Sequence, residues 1–152
     1  MVDNSLSPHG GVLVERVAPL SASDLDSVAH LPRIAVRDQI ARECVNIAYG
    51  FFSPLDGFMG SADLDSVARH MTLASGYIWS IPVVLDLSDA EVAGLGLNIN
   101  DTVLLTYQGQ PLATLDVAEI FSYDKEFLAQ QVYGTTDDSH PGVQRTYEYQ
   151  DT

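Results

Sequence analysis

Four histidines, one cysteine and 21 acidic residues are the side chains with which this chain could do chemistry, and their spacing argues against most of it. His9, His30, His70 and His140 lie far apart, and none stands three or four residues from another, as a metal-binding pair on one helix face would. Cys44 falls on the apolar stripe of a helical pattern, where a thiol is normally inert. The carboxylate pairs Asp24/Asp26 and Asp63/Asp65 have the residue type for acid/base or metal work. Both pairs open short helical patterns, where capping and the helix dipole account for them. Gly94-Leu95-Gly96 lacks the third glycine of a dinucleotide loop and the Lys-Ser/Thr pair of a phosphate loop, and no serine sits in a Gly-x-Ser-x-Gly elbow. Neither a catalytic residue nor a cofactor or metal ligand is expected on this chain. His9 beside Gly10-Gly11 reads as a site of close backbone packing. His140, before Pro141-Gly142, reads as a ring that fixes a turn by hydrogen bonding.

Charge narrows the partners. With 21 acidic against 7 basic residues the formal net charge is -14, a field that repels phosphate backbones and anionic lipid. Nucleic acid and membrane surfaces are poor partners. Lys125 is the lone lysine, and Arg16, Arg33, Arg37, Arg42, Arg69 and Arg145 are scattered singly, whereas transfer to an anionic acceptor needs positive charge gathered in one place. The acid excess fits either a saline cytoplasm or an ordinary soluble acidic protein. No apolar run approaches the roughly 18 residues of a membrane helix, and the start lacks a basic region followed by an apolar one, so the expectation is a soluble, cytoplasmic protein.

The elements that must position these residues begin with an irregular arm over 1–20, in which Val12, Leu13, Val14 and Val17 are available to add a short strand or pack on a neighbour. Helices are expected over 21–30, with Ser21 or Ser23 as cap, over 36–49, 61–70 and 125–132, and as a turn after Ser88. Ile40, Cys44 and Ile47 mark the inward face of the second. The hexapeptide Asp-Leu-Asp-Ser-Val-Ala occurs at 24–29 and again at 63–68, but the flanking sequences differ, so shared helix-start chemistry explains it better than duplication. Strands are expected over 77–87, 102–107 and 111–121, the last two joined through Gln108-Gly109-Gln110. Helices first and strands later, without regular alternation, predict one α+β domain over 1–152.

Between the 36–49 and 61–70 helices runs Gly50-Phe51-Phe52-Ser53-Pro54-Leu55-Asp56-Gly57-Phe58-Met59, with aromatics crowded around a turn. Gly50 suits the left-handed end of a helix, Pro54 presets φ, and Gly57 frees the turn's exit, so the loop should be packed. Phe51, Phe52, Phe58, Tyr77 and Trp79 read as core; stacking a nucleobase would call for basic neighbours that they lack.

Together with Pro8-His9-Gly10-Gly11, Trp79-Ser80-Ile81-Pro82-Val83 and Tyr133-Gly134-Thr135-Thr136-Asp137-Asp138-Ser139-His140-Pro141-Gly142-Val143, this run resembles the amino-terminal part of ATP sulfurylases (sulfate adenylyltransferases), in the family's order. The resemblance implies a PUA-like pseudo-barrel with flanking short helices, belonging to an enzyme that joins Mg-ATP and sulfate into adenosine 5′-phosphosulfate and pyrophosphate. It places that chemistry in a second domain with Gln-x-Arg-Asn-Pro and His-x-x-His motifs, neither of which occurs here. The chain, which stops at Tyr149-Gln150-Asp151-Thr152, is therefore expected to be cut at a domain junction there, to be inactive alone, and to support the missing catalytic domain and subunit contacts. Structural or junction roles fall to His9, Gly10, Gly11, Pro54, Gly57, Phe58, His140, Pro141 and Gly142. The alternatives are a stand-alone PUA-like binding module and a non-catalytic subunit.

Overall fold

The computed structural model describes residues 6–18, 21–150 and 152. Its helices and strands fall into two compact units, Met1–Phe58 with Thr102–Leu115, and Met59–Asp101 with Asp116–Thr152.

The first unit is organised by a short three-stranded sheet, formed by β1 (Arg33–Ala35), β2 (Thr102–Tyr107) and β3 (Gln110–Asp116) in that spatial order. β1 and β2 run parallel, with Ile34 opposite Leu105. The Val36 amide donates to the Thr106 carbonyl at 2.9 Å, extending the pairing one residue beyond the strand. β2 is buried along four consecutive residues, Val103 to Thr106, which is why it reads as a continuous apolar run and not as an alternating one. A two-residue turn with positive φ at Gln108 and Gly109 joins it to β3, and that backbone twist matches the twist of paired strands. Two helices complete this unit. α1 (Ala22–Val28) is closed by a capping box between Ser21 and Asp24, and α2 (Asp38–Ala48) buries Ile40, Ala41, Cys44 and Ile47.

The second unit is helical. α3 (Ser61–His70) buries Leu64, Val67 and Ala68, and α5 (Lys125–Tyr133) packs against both α3 and α6 (Pro141–Tyr147). α4 (Asp89–Leu95) has a Ser88/Glu91 capping box and a left-handed Gly96 at its end, but buries no residue. The α+β expectation holds.

Several local expectations do not. Residues 77–87 form no strand; Ile78 makes an isolated antiparallel bridge with Thr72, and Leu87 exchanges backbone hydrogen bonds with Thr152. Pro82 has no N–H to give a ladder, and the Trp79 indole donates to the Ile81 carbonyl at 2.7 Å. β3 ends at Asp116, not Phe121, because the chain turns back at Val117, whose amide donates to the Asp101 carbonyl at 2.8 Å. The helix expected from Val36 starts at Asp38, since Val36 is held in the sheet, and Arg37 occupies the N-cap without a side-chain cap bond. The arm adds no strand in its described part, and Pro19 and Leu20 lie outside the described residues. β1, of three residues, and α6, where a Pro-Gly turn was expected, were not foreseen. Phe51 and Tyr77, expected in the core, are exposed.

Candidate functional site

The arm and the aromatic turn meet in the first unit. Pro8 to Gly11 close a turn, the Gly11 amide donating to the Pro8 carbonyl at 2.8 Å, with φ of +80° at Gly10. A β-carbon at Gly10 would stand 2.9 Å from that of Pro54, so the glycine lets the arm lie directly on the proline ring. Ser53, which precedes Pro54 through a cis peptide bond, is buried; its hydroxyl donates to the Gly50 carbonyl at 2.6 Å and accepts the Val14 amide at 3.0 Å. Gly50, at φ +72°, sits under Leu13 and the Val14 carbonyl, too close for any side chain. Arg16 completes the seam, its amide donating to the Ala48 carbonyl at 2.8 Å and its guanidinium pairing with Asp56 at 3.1 Å. Of the residues marked from sequence, His9, Gly10, Gly11 and Pro54 are thus brought together. Gly57 follows with nothing close to where a β-carbon would stand, and Phe58 is half-buried. Ser53 is the side chain that ties this seam, and its place before a proline in a turn was the signal available for it.

His140, Pro141 and Gly142 belong to the second unit. The chain turns there through the His140 ring, whose Nδ1 accepts the Gly142 amide at 3.1 Å and so caps α6, with Pro141 at the first helical position. The same ring lies 5.2 Å from that of Tyr133, centroid to centroid. Tyr133 covers Gly142 so closely that an added β-carbon would meet the ring at 2.5 Å. The contacts at this corner are those of capping and packing.

An open cleft of about 360 Å³ lies between α3 and α5, with Leu64, Ala68, Phe121 and Phe127 in its walls. Its charged groups are engaged. Arg69 pairs with Asp65 at 2.7 Å and stacks its guanidinium 4.6 Å from the Phe127 ring centre, while Asp124 caps α5 through the Phe127 amide at 3.0 Å. Beside it, Glu119 reaches the start of α3, accepting from the Ser61 amide at 2.9 Å and its hydroxyl at 2.5 Å. Those two bonds hold the Glu119 carboxyl below its usual range. The absence of a β-carbon at Gly60 leaves room for it. No sequence pattern pointed to Glu119, which lies 58 residues from its partner.

Burial, with the negative charge of Glu43 adding to it, pushes the Cys44 thiol up to about 11, far from the thiolate that nucleophilic chemistry needs. Among the described residues no three of histidine, cysteine, aspartate and glutamate gather as a metal site. Arg16, Arg42 and Arg69 are each ion-paired within the chain.

Sulfate adenylyltransferases are the relatives. The chain is 45% identical over 148 residues to that of Synechococcus sp. (strain JA-3-3Ab), covering 95% of this chain and 37% of that protein. It is 39% identical over 143 residues to that of Aeropyrum pernix, with 93% and 37% covered. It is 43% identical over 136 residues to that of Chloroflexus aurantiacus (strain ATCC 29366), with 90% and 34% covered. The chain spans about a third of the length of these relatives. Among solved structures, a hexameric APS kinase from Thiobacillus denitrificans superposes with a TM-score of 0.67 at 27% identity, over 77% of this chain and 24% of that one. The model of the PUA-like domain matches residues 6–152, nearly everything described above, and the chain belongs to that family.

Proposed function

We propose that this chain is the amino-terminal support domain of a sulfate adenylyltransferase, and that it carries no catalytic residue of its own. The observation that supports this reading is the coverage: 95% of the chain aligns to 37% of a sulfate adenylyltransferase. The charge distribution agrees. Binding Mg-ATP and sulfate, the substrates such an enzyme joins into adenosine 5′-phosphosulfate and pyrophosphate, requires converging positive charge. On this chain Arg16, Arg42 and Arg69 are separately neutralised by Asp56, Asp38 and Asp65. These three do not converge, and this reading assigns the adenylyl transfer of sulfate activation to a further domain. His9–Gly11 with Pro54, and His140–Gly142, then serve as packing elements of the support domain. Assembly into homo-oligomers and a cytoplasmic location belong to the same proposal; the hexameric state of the APS kinase neighbour supports the first.

The test is the mass and activity of the native product, captured from source cells with an antibody to residues 125–150. The expected result is a species well above 16.5 kDa that releases pyrophosphate only with both ATP and sulfate. A native product of 16.5 kDa without that activity would overturn the reading.

A further inference from the structure

The loop between α2 and α3 carries a reactive step that the packing of the seam does not use. Asp56-Gly57 is the single Asp-Gly step of the chain, and no Asn-Gly step accompanies it. In such a step the carboxyl carbon can close a five-membered ring onto the next backbone nitrogen, and glycine puts no β-carbon in the way. Closure then depends on whether the fold commits that nitrogen elsewhere. Among the described residues the Gly57 amide donates to no acceptor, and nothing lies within 4 Å of where a β-carbon would stand. The Asp56 side chain is 73% exposed, so water reaches its carboxyl. The Asp-Ser steps, next in intrinsic reactivity, are placed differently. Ser27 and Ser66 lie inside α1 and α3, where amides belong to the helix ladder, and the Ser139 amide donates to the Asp137 carboxylate at 2.9 Å.

We propose that Asp56-Gly57 is a site of spontaneous covalent modification, where aspartate converts through a succinimide to isoaspartate, and that Arg16 sets the rate. The Gly57 nitrogen attacks Asp56 Cγ and gives up its proton, and a carboxyl oxygen leaves as water. Water then opens the ring at either carbonyl. Breaking the bond from nitrogen to Cγ returns aspartate. Breaking the bond from nitrogen to the main-chain carbonyl carbon leaves the backbone running through Cγ, with a free α-carboxylate. Nothing is oxidised or reduced, and water is the one co-reactant. The Arg16 guanidinium, 3.1 Å from Asp56 Oδ2, ties the carboxylate and so opposes its rotation onto the Gly57 nitrogen. Ring closure removes the charge that Arg16 pairs with, and the isoaspartyl backbone is one methylene longer and carries its carboxylate on a different carbon. The modified chain thus loses the ion pair of the seam and keeps the bonds from the Val14 and Arg16 amides.

The experiment ages the product of the complete reading frame in neutral buffer and follows its tryptic peptide 43–69 by mass spectrometry. Succinimide is read as a mass lower by one water. Isoaspartate is read by fragment ions of a β-linked backbone and by methyl transfer from S-adenosylmethionine with an isoaspartyl carboxyl methyltransferase. Asp56 is expected to convert about tenfold faster, or more, than Asp65 in the same peptide. Gly57→Ala, which places a methyl group in open space, is expected to slow Asp56 about tenfold. Arg16→Ala is expected to speed it about two- to fivefold, the scale of an exposed ion pair, and Arg16→Lys, which keeps a cation there, to stay near the original rate. Conversion at Asp56 no faster than at Asp65 would overturn the proposal, as would an equal rate in Gly57→Ala. An unchanged rate in Arg16→Ala, or an Arg16→Lys protein as fast as Arg16→Ala, would overturn the part given to Arg16.

Discussion

The same six residues, Asp-Leu-Asp-Ser-Val-Ala, build α1 at 24–29 and α3 at 63–68, and the two copies have almost nothing else in common. In α1 the leucine is 39% exposed; in α3 its counterpart Leu64 is 5% exposed and Val67 1%. Asp24 closes a capping box with Ser21, whereas Asp63 accepts the amide of Ala74 at 2.8 Å and leaves the start of α3 to Glu119. Asp65 pairs with Arg69; the residue four after Asp26 is His30. Identical local propensity thus yields a solvated turn of helix in one place and a core element in the other. What differs is the partner that covers the apolar face, and that partner is not encoded within the six residues.

Paired substitutions sharpen the contrast. Leu64→Ala removes buried methyl groups and is expected to cost about 2–5 kcal/mol in a urea melt, while Leu25→Ala stays within about 0.5 kcal/mol. Equal losses at the two positions would break the comparison. Next in size are the caps. Ser21→Ala removes a local cap and Glu119→Ala a distant one, and each is expected to cost about 1 kcal/mol. By amide exchange, the first should loosen residues 22–28 alone and the second α3 together with the segment around Glu119. Smaller again is Asp65→Asn, at most about 0.5 kcal/mol for an exposed pair one turn apart, with Asp26→Asn smaller still.

Acidification acts on both caps. Hydrogen bonds from Ser21 depress Asp24, and hydrogen bonds from Ser61 depress Glu119. A depressed carboxylate stabilises the fold at pH above its unfolded value, and that contribution is lost as pH falls through the folded value. Urea midpoints should therefore hold above about pH 5 and decline below about pH 4. In Ser21→Ala the Asp24 resonance should titrate at higher pH, with Glu119 unchanged. Cys44 offers a check on the core: with the thiol near 11 against an ordinary 9.0, a thiol reagent at pH 8 should react about 100-fold more slowly than with the unfolded chain.

What was legible in the sequence follows the same division. α2, α4, α5 and the turn at Gln108-Gly109 carry their signals within a few residues: an apolar stripe, Ser88 with Glu91, Gly134, and a glycine free to take positive φ. β1 is too short to show a period and exists because β2 lies beside it. α6 begins at Pro141-Gly142, residues that read as a turn until the His140 ring supplies the cap. Around the candidate surfaces, the glycines and Pro54 were readable as sites of close approach. The outward aim of Phe51 was not, since an aromatic in a packed loop is ordinarily buried and its direction is set by where the arm lies.

The Glu119 carboxylate also imposes an order of events on the nascent chain. The capping box of α1 is complete three residues after it begins, but the cap of α3 lies 58 residues downstream of Ser61. At about 5–20 residues per second that separation is several seconds of synthesis. Throughout that interval the Ser61 amide lacks the carboxylate that accepts it in the finished fold, and α5, which packs against α3, has not yet been made.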